Sequence, residues 1–240
     1  MHTYGQFCPV AKAAEIFAER WTPLIVRELL AGSHRFNELQ HGLPRISRAL
    51  LVARLRELER GGIVERRAGA GGRGVVYHLT PAGQELEPVI TLLGAWGQRW
   101  VNLTIEPDEI DPGLLMWDMR RRINCELLPQ RRLVVQFDFR GARTETWWLL
   151  LDRQDVSICL QEPGFDLDLF VTADTLALHR IWVGRLTFAS ALRDGLVQVD
   201  GPTDLVRALP TWLALSSYAP IQPASRVPAR RRRSPVEVER

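Results

Sequence analysis

The sequence predicts an α+β protein built from two successive units and a basic tail. Apolar residues recur at helical spacing through the first hundred residues, with one glycine-rich hairpin among them. From residue 133 to residue 200, apolar and polar residues alternate as they do in strands with one buried face. An acidic, proline-containing stretch at 102–112 separates the two patterns, and we place a domain boundary there.

Helix-start signals divide the first unit into short helices. Cys8-Pro9 opens the first helix, and Thr22-Pro23 supplies an N-cap followed by proline at the first helical position of the second. Ser33 is expected to cap a short third helix at 36–41, and Ser47 to cap a fourth helix of about three turns.

A two-stranded hairpin is predicted next, followed by a long helix. Residues 63–67 and 75–79 have strand composition and flank a glycine-rich loop at 68–74. Thr80-Pro81 then opens a helix that is expected to run through residues 81–100. The apolar stripe of this helix consists of Leu86, Val89, Ile90, Leu93, Trp96 and Trp100.

The second unit mixes strand and helix signals. Asp111-Pro112 is expected to cap a helix that contains Leu115, Met119 and Ile123, and Asp174 to start another. Strands are predicted at 133–139, 146–151, 156–160, 166–171 and 196–200, a short helix at 186–192 and a closing helix at 202–215. We therefore predict domains at 1–104 and 105–219, and a disordered basic tail at 220–240.

The composition limits the class of protein. No run of about 18 apolar residues is present, and the N-terminus lacks the features of a signal peptide. The three cysteines, Cys8, Cys125 and Cys159, are too dispersed for a disulfide framework or a metal-ligand cluster. We therefore expect a cytoplasmic protein with no membrane association, no metal site and no cofactor.

Charge is divided unevenly along the chain. Residues 1–104 hold 13 basic and 9 acidic residues, residues 105–220 hold 12 and 17, and residues 221–240 hold 6 and 2. A polyanion is therefore expected to meet the two ends of the chain and not its middle. The arginine run at 230–233 could add phosphate contacts, or it could serve only as a solubilising tail.

The first unit has the element order of a winged helix-turn-helix module, which binds double-stranded DNA. In the helix that Ser47 opens, Leu51, Leu55 and Leu58 share one face, so Arg48 and its neighbours face outward. Arginine near the start of such a helix can reach base edges, and flanking arginines suit phosphates. The predicted DNA-contacting residues are Arg35, Arg45, Ser47, Arg48, Ala49, Val52, Arg56, Arg66, Arg67 and Arg73. A simply solvated helix face would also carry such arginines.

Local strings across residues 7–100 resemble the HxlR-type transcriptional regulators of bacteria. They include Cys8-Pro9-Val10, Arg20-Trp21-Thr22, Arg35-Phe36-x-Glu38-Leu39, Ile46-Ser47-x-x-Leu50-Leu51, Gly62-Ile63-Val64 and Tyr77-x-Leu79-Thr80. The resemblance implies a homodimer on a palindromic operator, with the dimer formed by the first helix and the helix at 81–100. Packing of that last helix within its own domain is the alternative.

Cys8 is a candidate redox site. Several regulators of this type sense oxidants or electrophiles through a cysteine before the first helix, and a thiol at a helix N-terminus ionises more readily. The Cys-Pro pair also occurs in members without that function. Regulation through Cys8 is therefore an alternative to regulation by a bound small molecule.

Residues 113–215 resemble the sterol carrier protein type 2 (SCP2-like) fold, an antiparallel-rich sheet covered by helices. The resemblance lies in Asp168-Leu169-Phe170-Val171-Thr172-Ala173-Asp174, Trp182-x-Gly184 and residues 195–201. It implies a pocket for a hydrophobic small molecule that could act as an effector. Aromatic candidates for such a pocket are Trp117, Trp147, Trp148, Phe170, Trp182 and Phe188, which could equally be ordinary core residues. The domain could otherwise serve only dimerisation or partner contact.

Catalysis is not expected. The five histidines are dispersed, and no nucleophile elbow, phosphate loop or zinc-protease motif is present. A sequence-specific DNA-binding regulator is the predicted function. A lipid-binding or interaction protein with a vestigial DNA-binding module remains the other alternative.

Overall fold

The structure is a computed structural model, and it describes residues 3–72, 74–101, 105 and 109–224. Within these ranges the first half of the chain consists of helices and one hairpin, and the second half contains a larger sheet with helices. The predicted mixture of helices and sheet is confirmed. No helix in the described ranges is long and apolar enough to cross a membrane.

The first half forms a small helical domain with a hairpin at one side. Its elements are α1 (Pro9–Phe17), α2 (Thr22–Leu30), α3 (Phe36–Gly42), α4 (Arg48–Arg60), β1 (Val64–Ala68), β2 (Val75–Leu79), α5 (Pro81–Gln84) and α6 (Glu87–Trp100). Ile25, Leu39 and Leu51 are fully buried at its centre. The antiparallel hairpin pairs Val64 with Leu79 at its base, and both of these side chains join the same core.

In the first half of the chain, the helix caps predicted at Ser47 and Thr80 are present, and those predicted at Thr22 and Ser33 are wrong. The Ser47 hydroxyl accepts the N–H of Leu50 at 3.2 Å, and that of Thr80 accepts the N–H of Gly83 at 3.1 Å. The helix α2 begins at Thr22, so its N-cap is Trp21, with φ of 78°, and not Thr22.

Ser33 does not cap the third helix. The N-cap of α3 is Arg35, and the Glu38 carboxylate accepts the backbone N–H groups of His34 (2.8 Å) and Arg35 (2.9 Å). The hydroxyl of Ser33 instead donates to Glu28 at 3.1 Å, in the interior. The carboxylate of Glu38 therefore performs at this helix start the role that Ser33 was predicted to have.

The long helix predicted at 81–100 is broken into α5 and α6. The break precedes Pro88, which lies in the first turn of α6. Proline lacks a backbone N–H, and its ring collides with the carbonyl four residues earlier, here that of Gln84. The helix α5 ends at Gln84 for this reason.

The second half is built on a five-stranded sheet. Its elements are α7 (Pro112–Arg120), β3 (Leu133–Arg140), β4 (Glu145–Leu151), β5 (Val156–Cys159), β6 (Leu169–Asp174), α8 (Thr175–Trp182), α9 (Phe188–Arg193), β7 (Val197–Asp200) and α10 (Thr203–Trp212). The strand order is β5-β4-β3-β6-β7, with every pair antiparallel except β3 and β6. Asp111 and Asp174 cap α7 and α8 as predicted, whereas Ile123 lies beyond the end of α7.

The two faces of this sheet differ. Leu133, Val135, Phe137 and Phe139 of β3 are buried in the core of the domain. On the opposite face, Gln136 lies between its cross-strand neighbours Trp148 and Phe170, both of which are half-buried. The alternation predicted for this strand is confirmed, and it directs one face into the core.

A buried ion pair joins the two halves of the molecule. Glu28 of α2 is fully buried, and its carboxylate accepts hydrogen bonds from Arg27 (2.6 Å), from Trp117 Nε1 (3.3 Å) and from Arg121. Burial opposes ionisation of Glu28, but the hydrogen bond from Arg121 and the charges of both arginines outweigh it and lower its pKa. Gly42 leaves the space for this carboxylate, since a Cβ there would lie 1.9 Å from Glu28 Oε2.

The end of the described chain returns to the first domain. A Cβ on Gly94 of α6 would lie 2.3 Å from the ring of Tyr218, so the two are in close contact. The N–H of Ala224 donates to the carbonyl of Arg99 at 2.8 Å. Residues 225–240, which include most of the tail predicted to be disordered, lie outside the described residues.

Candidate nucleic-acid interface

The helix α4 has one buried and one exposed face. Leu51, Leu55 and Leu58 are at most 2% exposed. Ser47, Arg48, Ala49 and Arg56 are exposed on the other side, and Val52 is half-buried. Because the apolar side is anchored in the core, the polar side and the N-terminus of α4 are held toward solvent. Ala49 on this face is small, so the backbone can come close to a groove at that point.

The arginines around α4 are not engaged in ion pairs. Within the described residues, Arg35, Arg45, Arg48, Arg56 and Arg66 take no part in a salt bridge, and all five are exposed. The guanidinium of Arg48 lies 5.0 Å from the ring centre of Phe36, which positions it by a cation–π contact. Their positive charge is thus available to an external anion.

Arg54 on the same helix differs from these arginines. It is only 17% exposed at its side chain and pairs with Glu19 at 2.9 Å and with Glu57 at 2.5 Å. It therefore ties α4 to the segment that follows α1, and its charge is already neutralised within the domain.

The hairpin β1–β2 projects beside α4. Arg66 and Arg67 are exposed on β1, where Arg67 pairs with Glu65. Glycines in the connecting loop adopt left-handed backbone conformations, with φ of 66° at Gly71 and 76° at Gly74. Arg73 lies outside the described residues.

A histidine pair fixes the hairpin to α3. The rings of His34 and His78 stack with 4.3 Å between centroids, and the Tyr77 N–H donates to the His34 carbonyl at 2.8 Å. Burial, followed by the charge of His34, lowers the pKa of His78. Sequence analysis did not find this contact, since the two residues are 44 positions apart and carry no motif.

The arrangement of α3, α4 and the hairpin matches a known family. Residues 16–104 match the model of the HxlR-like helix-turn-helix family. The chain is 37% identical over 100 residues to the HTH-type transcriptional regulator YvaP of Bacillus subtilis, an alignment that covers 41% of this chain and 93% of YvaP. The chain belongs to the HxlR-like helix-turn-helix family. It is accordingly a DNA-binding transcriptional regulator.

Two other similar proteins align with a comparable share of this chain. The HTH-type transcriptional regulator YodB of Bacillus subtilis is 36% identical over 95 residues, which are 39% of this chain and 85% of YodB. A solved structure of the redox regulator HypR in its reduced form is 33% identical, with a TM-score of 0.35, and covers 38% of this chain and 90% of that one. The family match ends at residue 104, so the second domain lies beyond it.

Away from the exposed face of α4, the HxlR-like module has exposed apolar side chains on α6 and α1. On α6, Leu92 is 70% exposed, Trp96 57% and Trp100 48%, whereas Ile90 is buried in the core. Val10 of α1 is 75% exposed. The stripe predicted on this helix is therefore divided: Leu86 and Ile90 pack inward, and Val89, Leu93, Trp96 and Trp100 face outward.

The six aromatic residues predicted to line a pocket do not converge. Trp117 and Trp147 line one cleft together, between the two domains. Trp182 and Phe188 pack against the core of the second domain, and Trp148 and Phe170 lie on the opposite face of the sheet. The residues that share the cleft with Trp117 and Trp147 come partly from α3, which sequence analysis assigned only to DNA binding.

Cys8 lies at the N-cap of α1 and is exposed. The backbone N–H groups of Ala11 and Val10, in the first turn of α1, lower the pKa of its thiol. Cys125 and Cys159 are half-buried in the second domain. Among the described residues, no group of three or more histidine, cysteine or acidic side chains is placed to hold a metal ion.

Proposed function

We propose that this protein is a homodimeric regulator that reads a palindromic operator with α4 and is controlled by a hydrophobic small molecule bound by its second domain. The observation that carries the DNA-binding part is the exposed face of α4, with Ser47, Arg48, Ala49 and Arg56 opposite the buried leucines. Ser47, Arg48 and Ala49 lie at the start of α4, and Arg56 lies further along the same helix.

This surface suits the major groove. A recognition helix contacts base edges through the residues at its N-terminal end, and the small side chain of Ala49 permits close approach. Arg48 can make the bidentate contact that arginine forms with guanine. We assign phosphate contacts on either side of this helix to five further arginines: Arg35, Arg45, Arg66, Arg67 and Arg73.

The apolar face of α6 supports the dimer. Exposed tryptophans and leucines in one contiguous patch are uncommon on monomers and mark sites of association. A two-fold contact through α6, with α1 beside it, would present two α4 helices to half-sites about 34 Å apart. Their shared symmetry axis would require a palindromic operator.

Control by a small molecule is supported by the joint between the domains. Glu28 of the HxlR-like module accepts hydrogen bonds from Trp117 and Arg121 of α7, so a change at α7 is felt at α2. A ligand that prefers one arrangement of these helices shifts the population of DNA-competent dimers in proportion to that preference.

The DNA-reading role is tested with Arg48→Ala in gel-shift titrations at fixed salt. We expect operator binding to weaken by about 1–3 kcal/mol and sequence preference at one base pair to relax. Arg193→Ala on α9, far from this face in sequence and exposed, is the matched control and should leave affinity unchanged. Equal binding by the Arg48 variant and the natural protein would remove α4 as the reader and favour the vestigial alternative.

The dimer is tested with Trp96→Glu in sedimentation experiments. A buried carboxylate at the two-fold contact should convert the protein to a monomer and weaken operator binding. Leu127→Glu, at an apolar residue of the second domain that is 53% exposed, is the control and should remain dimeric. A monomeric natural protein, or a dimeric Trp96 variant, would contradict the role given to α6.

Cys8 favours a second candidate, a regulator that responds to electrophiles or oxidants. Its exposed thiol with a lowered pKa holds more thiolate at neutral pH than an ordinary cysteine. Alkylation with iodoacetamide should then reduce operator affinity in the natural protein and not in Cys8→Ser. If both proteins respond alike, or neither does, Cys8 has no regulatory role.

A further inference from the structure

A deep cleft lies between the two domains. Its volume is about 830 Å³, within the range of about 300–1,000 Å³ that small-molecule sites occupy. One wall comes from α3 and Pro44 of the HxlR-like module, and the other from α7, β4 and β5. A molecule in this cleft would touch the DNA-binding module and the second domain at once.

Aromatic side chains shape the apolar part of this cleft. Trp117 lies 5.3 Å from the ring of His41, and its indole nitrogen is fixed by the hydrogen bond to Glu28. Trp147 approaches α7 at Gly113, where a Cβ would lie 2.6 Å from the indole ring. Leu114 and Ile158 complete the apolar surface. The cleft therefore suits a flat, mainly apolar body.

The carboxylates in the cleft already have hydrogen-bond donors. Glu38 accepts two backbone N–H groups of its own helix start, at 2.8 and 2.9 Å. Asp111 accepts the N–H of Leu114 at 3.0 Å and pairs with Arg143 at 3.4 Å, and Glu145 accepts the indole N–H of Trp147 at 3.0 Å. An incoming cation would have to compete with these donors.

Arg120, in contrast, is a half-buried cation of the cleft. Arg35 also lines the cleft but is exposed to solvent, and the buried Oε1 of Gln40 is an acceptor, which an anion cannot use. Arg120 stacks 4.2 Å from the ring centre of Trp117 and donates to the Val156 carbonyl at 3.2 Å. Its Nε is buried and has no hydrogen-bond partner among the described residues, and within them Arg120 forms no salt bridge. Burial, and next the charge of Arg121, lower the pKa of this guanidinium.

An anion beside Arg120 would remove this imbalance. A buried donor without an acceptor is costly, and an unpaired charge more so, whereas a charge-assisted hydrogen bond to a carboxylate is among the stronger ones. The stacked ring of Trp117 holds the guanidinium in place, so little side-chain freedom would be lost on binding. Arg120 can therefore gain more from a ligand than any of the three carboxylates can.

We propose that the cleft between α3 and α7 is the effector site, and that it binds an aromatic carboxylate whose ring lies against Trp117 and Trp147 and whose anionic group meets Arg120. This inference rests on the proposed control by a small molecule. It moves the ligand from the second domain to the cleft between the domains, and it gives the ligand an anionic group. The site is shared between the domains, and the ligand is an amphipathic anion.

The location gives the ligand a direct effect on DNA binding. The helix α3 precedes the recognition helix α4 and carries Arg35 at its N-cap, while α7 holds Glu28 through Trp117 and Arg121. Ligand affinity thus depends on how α3 and α7 are spaced. By reciprocity, operator binding must alter ligand affinity by the same factor.

The chemistry is tested by calorimetric titration of the full chain, without DNA, with three probes of one scaffold: 2-naphthoate, 2-naphthalenemethanol and 2-naphthylmethylammonium. We expect 2-naphthoate to bind about ten-fold more tightly than the neutral alcohol, as a charge-assisted hydrogen bond predicts, and the ammonium to bind most weakly. Equal affinities, or a preference for the ammonium, would overturn the assignment of Arg120 as an anion anchor.

Two variants test the site itself. Arg120→Gln should abolish the preference for 2-naphthoate, whereas Arg122→Gln, whose side chain donates to Leu215 and does not line the cleft, should retain it. Asn37→Trp adds bulk from an exposed position on the opposite wall and should block all three probes without touching the core. Unaltered binding by the Asn37 variant would place the ligand elsewhere.

The effect on DNA is measured separately, so the two proposals can fail independently. If 2-naphthoate binds as expected but leaves operator affinity unchanged, the site stands and its regulatory role falls. If no probe binds while Arg48→Ala still weakens operator binding, the cleft is not the effector site and the DNA-binding function is unaffected.

Discussion

The two halves of this protein use arginine in opposite ways. In the HxlR-like module, Arg35, Arg45 and Arg48 are exposed and free of salt bridges within the described residues. In the second domain, Arg122 donates to the Leu215 carbonyl at 2.7 Å and Arg153 to that of Leu128 at 2.7 Å. These exposed arginines of the first half, unlike Arg27 and Arg54, therefore have no internal ion pair among the described residues. The two arginines of the second half instead hold backbone carbonyls of their own domain.

The number of charged residues in a segment does not by itself show whether that segment binds a charged partner. There are 13 basic residues in 1–104 and 12 in 105–220, nearly the same number. The second segment differs from the first in its excess of acidic residues and in the hydrogen bonds from its arginines to backbone carbonyls. The partner of an arginine, more than its presence, decides whether it is available to bind.

The largest expected effect comes from breaking the joint between the two halves. Glu28→Gln leaves Arg27 and Arg121 without their buried counter-charge and should destabilise the protein by about 3–5 kcal/mol. Denaturant unfolding followed by tryptophan fluorescence measures the loss. The matched control is the double variant Glu28→Gln/Arg121→Met, which should regain part of the lost stability. A loss below about 1 kcal/mol in Glu28→Gln alone would show that the ion pair is solvated.

The same joint predicts a pH dependence. Because the pKa of Glu28 is lowered on folding, its contribution is fully present above the unfolded pKa and is lost as pH falls through the folded value. The natural protein should therefore lose stability in acid more steeply than Glu28→Gln. Parallel curves for the two proteins would mean that Glu28 does not titrate differently on folding.

A smaller effect is expected from two glycines of α6. In a helix, Gly→Ala normally stabilises by about 0.5–1 kcal/mol, and Gly97→Ala should do so because nothing lies within 4 Å of the new Cβ. Gly94→Ala should instead destabilise by about 1–3 kcal/mol, because its Cβ would collide with Tyr218. Thermal unfolding of both variants measures the signs, and equal signs would show that Tyr218 does not pack on α6.

The smallest effects are expected from removing one helix cap in each half of the protein. Ser47 Oγ caps α4 and Thr187 Oγ caps α9, each accepting a backbone N–H three residues ahead. Ser47→Ala and Thr187→Ala should each cost about 1 kcal/mol of stability. Only Ser47→Ala should also weaken operator binding, which gel-shift titration measures. An equal loss of DNA affinity in both variants would mean that the caps act through global stability alone.

Local signals predicted most of the fold. Helix starts at Ser47, Thr80, Asp111 and Asp174 depend on a side chain and a backbone N–H three residues away, so they can be found in sequence. Period-two alternation likewise revealed the buried face of β3. The outward face of α4 followed from the same local reasoning, since its leucines had to point inward.

The errors involve partners distant in sequence or a neglected local rule. Ser33 was expected to cap a helix because its partner Glu28 could not be known to lie buried beside Arg121, 93 residues away. The break before Pro88 is a local feature that the strong apolar stripe of residues 81–100 obscured. The interdomain cleft combines Asn37 and Trp147, and no periodicity links two separate domains.

The contact between the two domains predicts which residues should occur together in related proteins. These residues are Glu28, Gly42 and Arg121. A glycine at 42 leaves room for the carboxylate, and its charge is balanced by Arg27 of its own domain and by Arg121 of the second domain. A relative that lost its second domain would keep an acid with half of its counter-charge missing. Proteins that contain both domains should therefore have Glu28, Gly42 and Arg121 together. Proteins that contain the HxlR-like module alone should be free to vary at the two positions that they share with this chain.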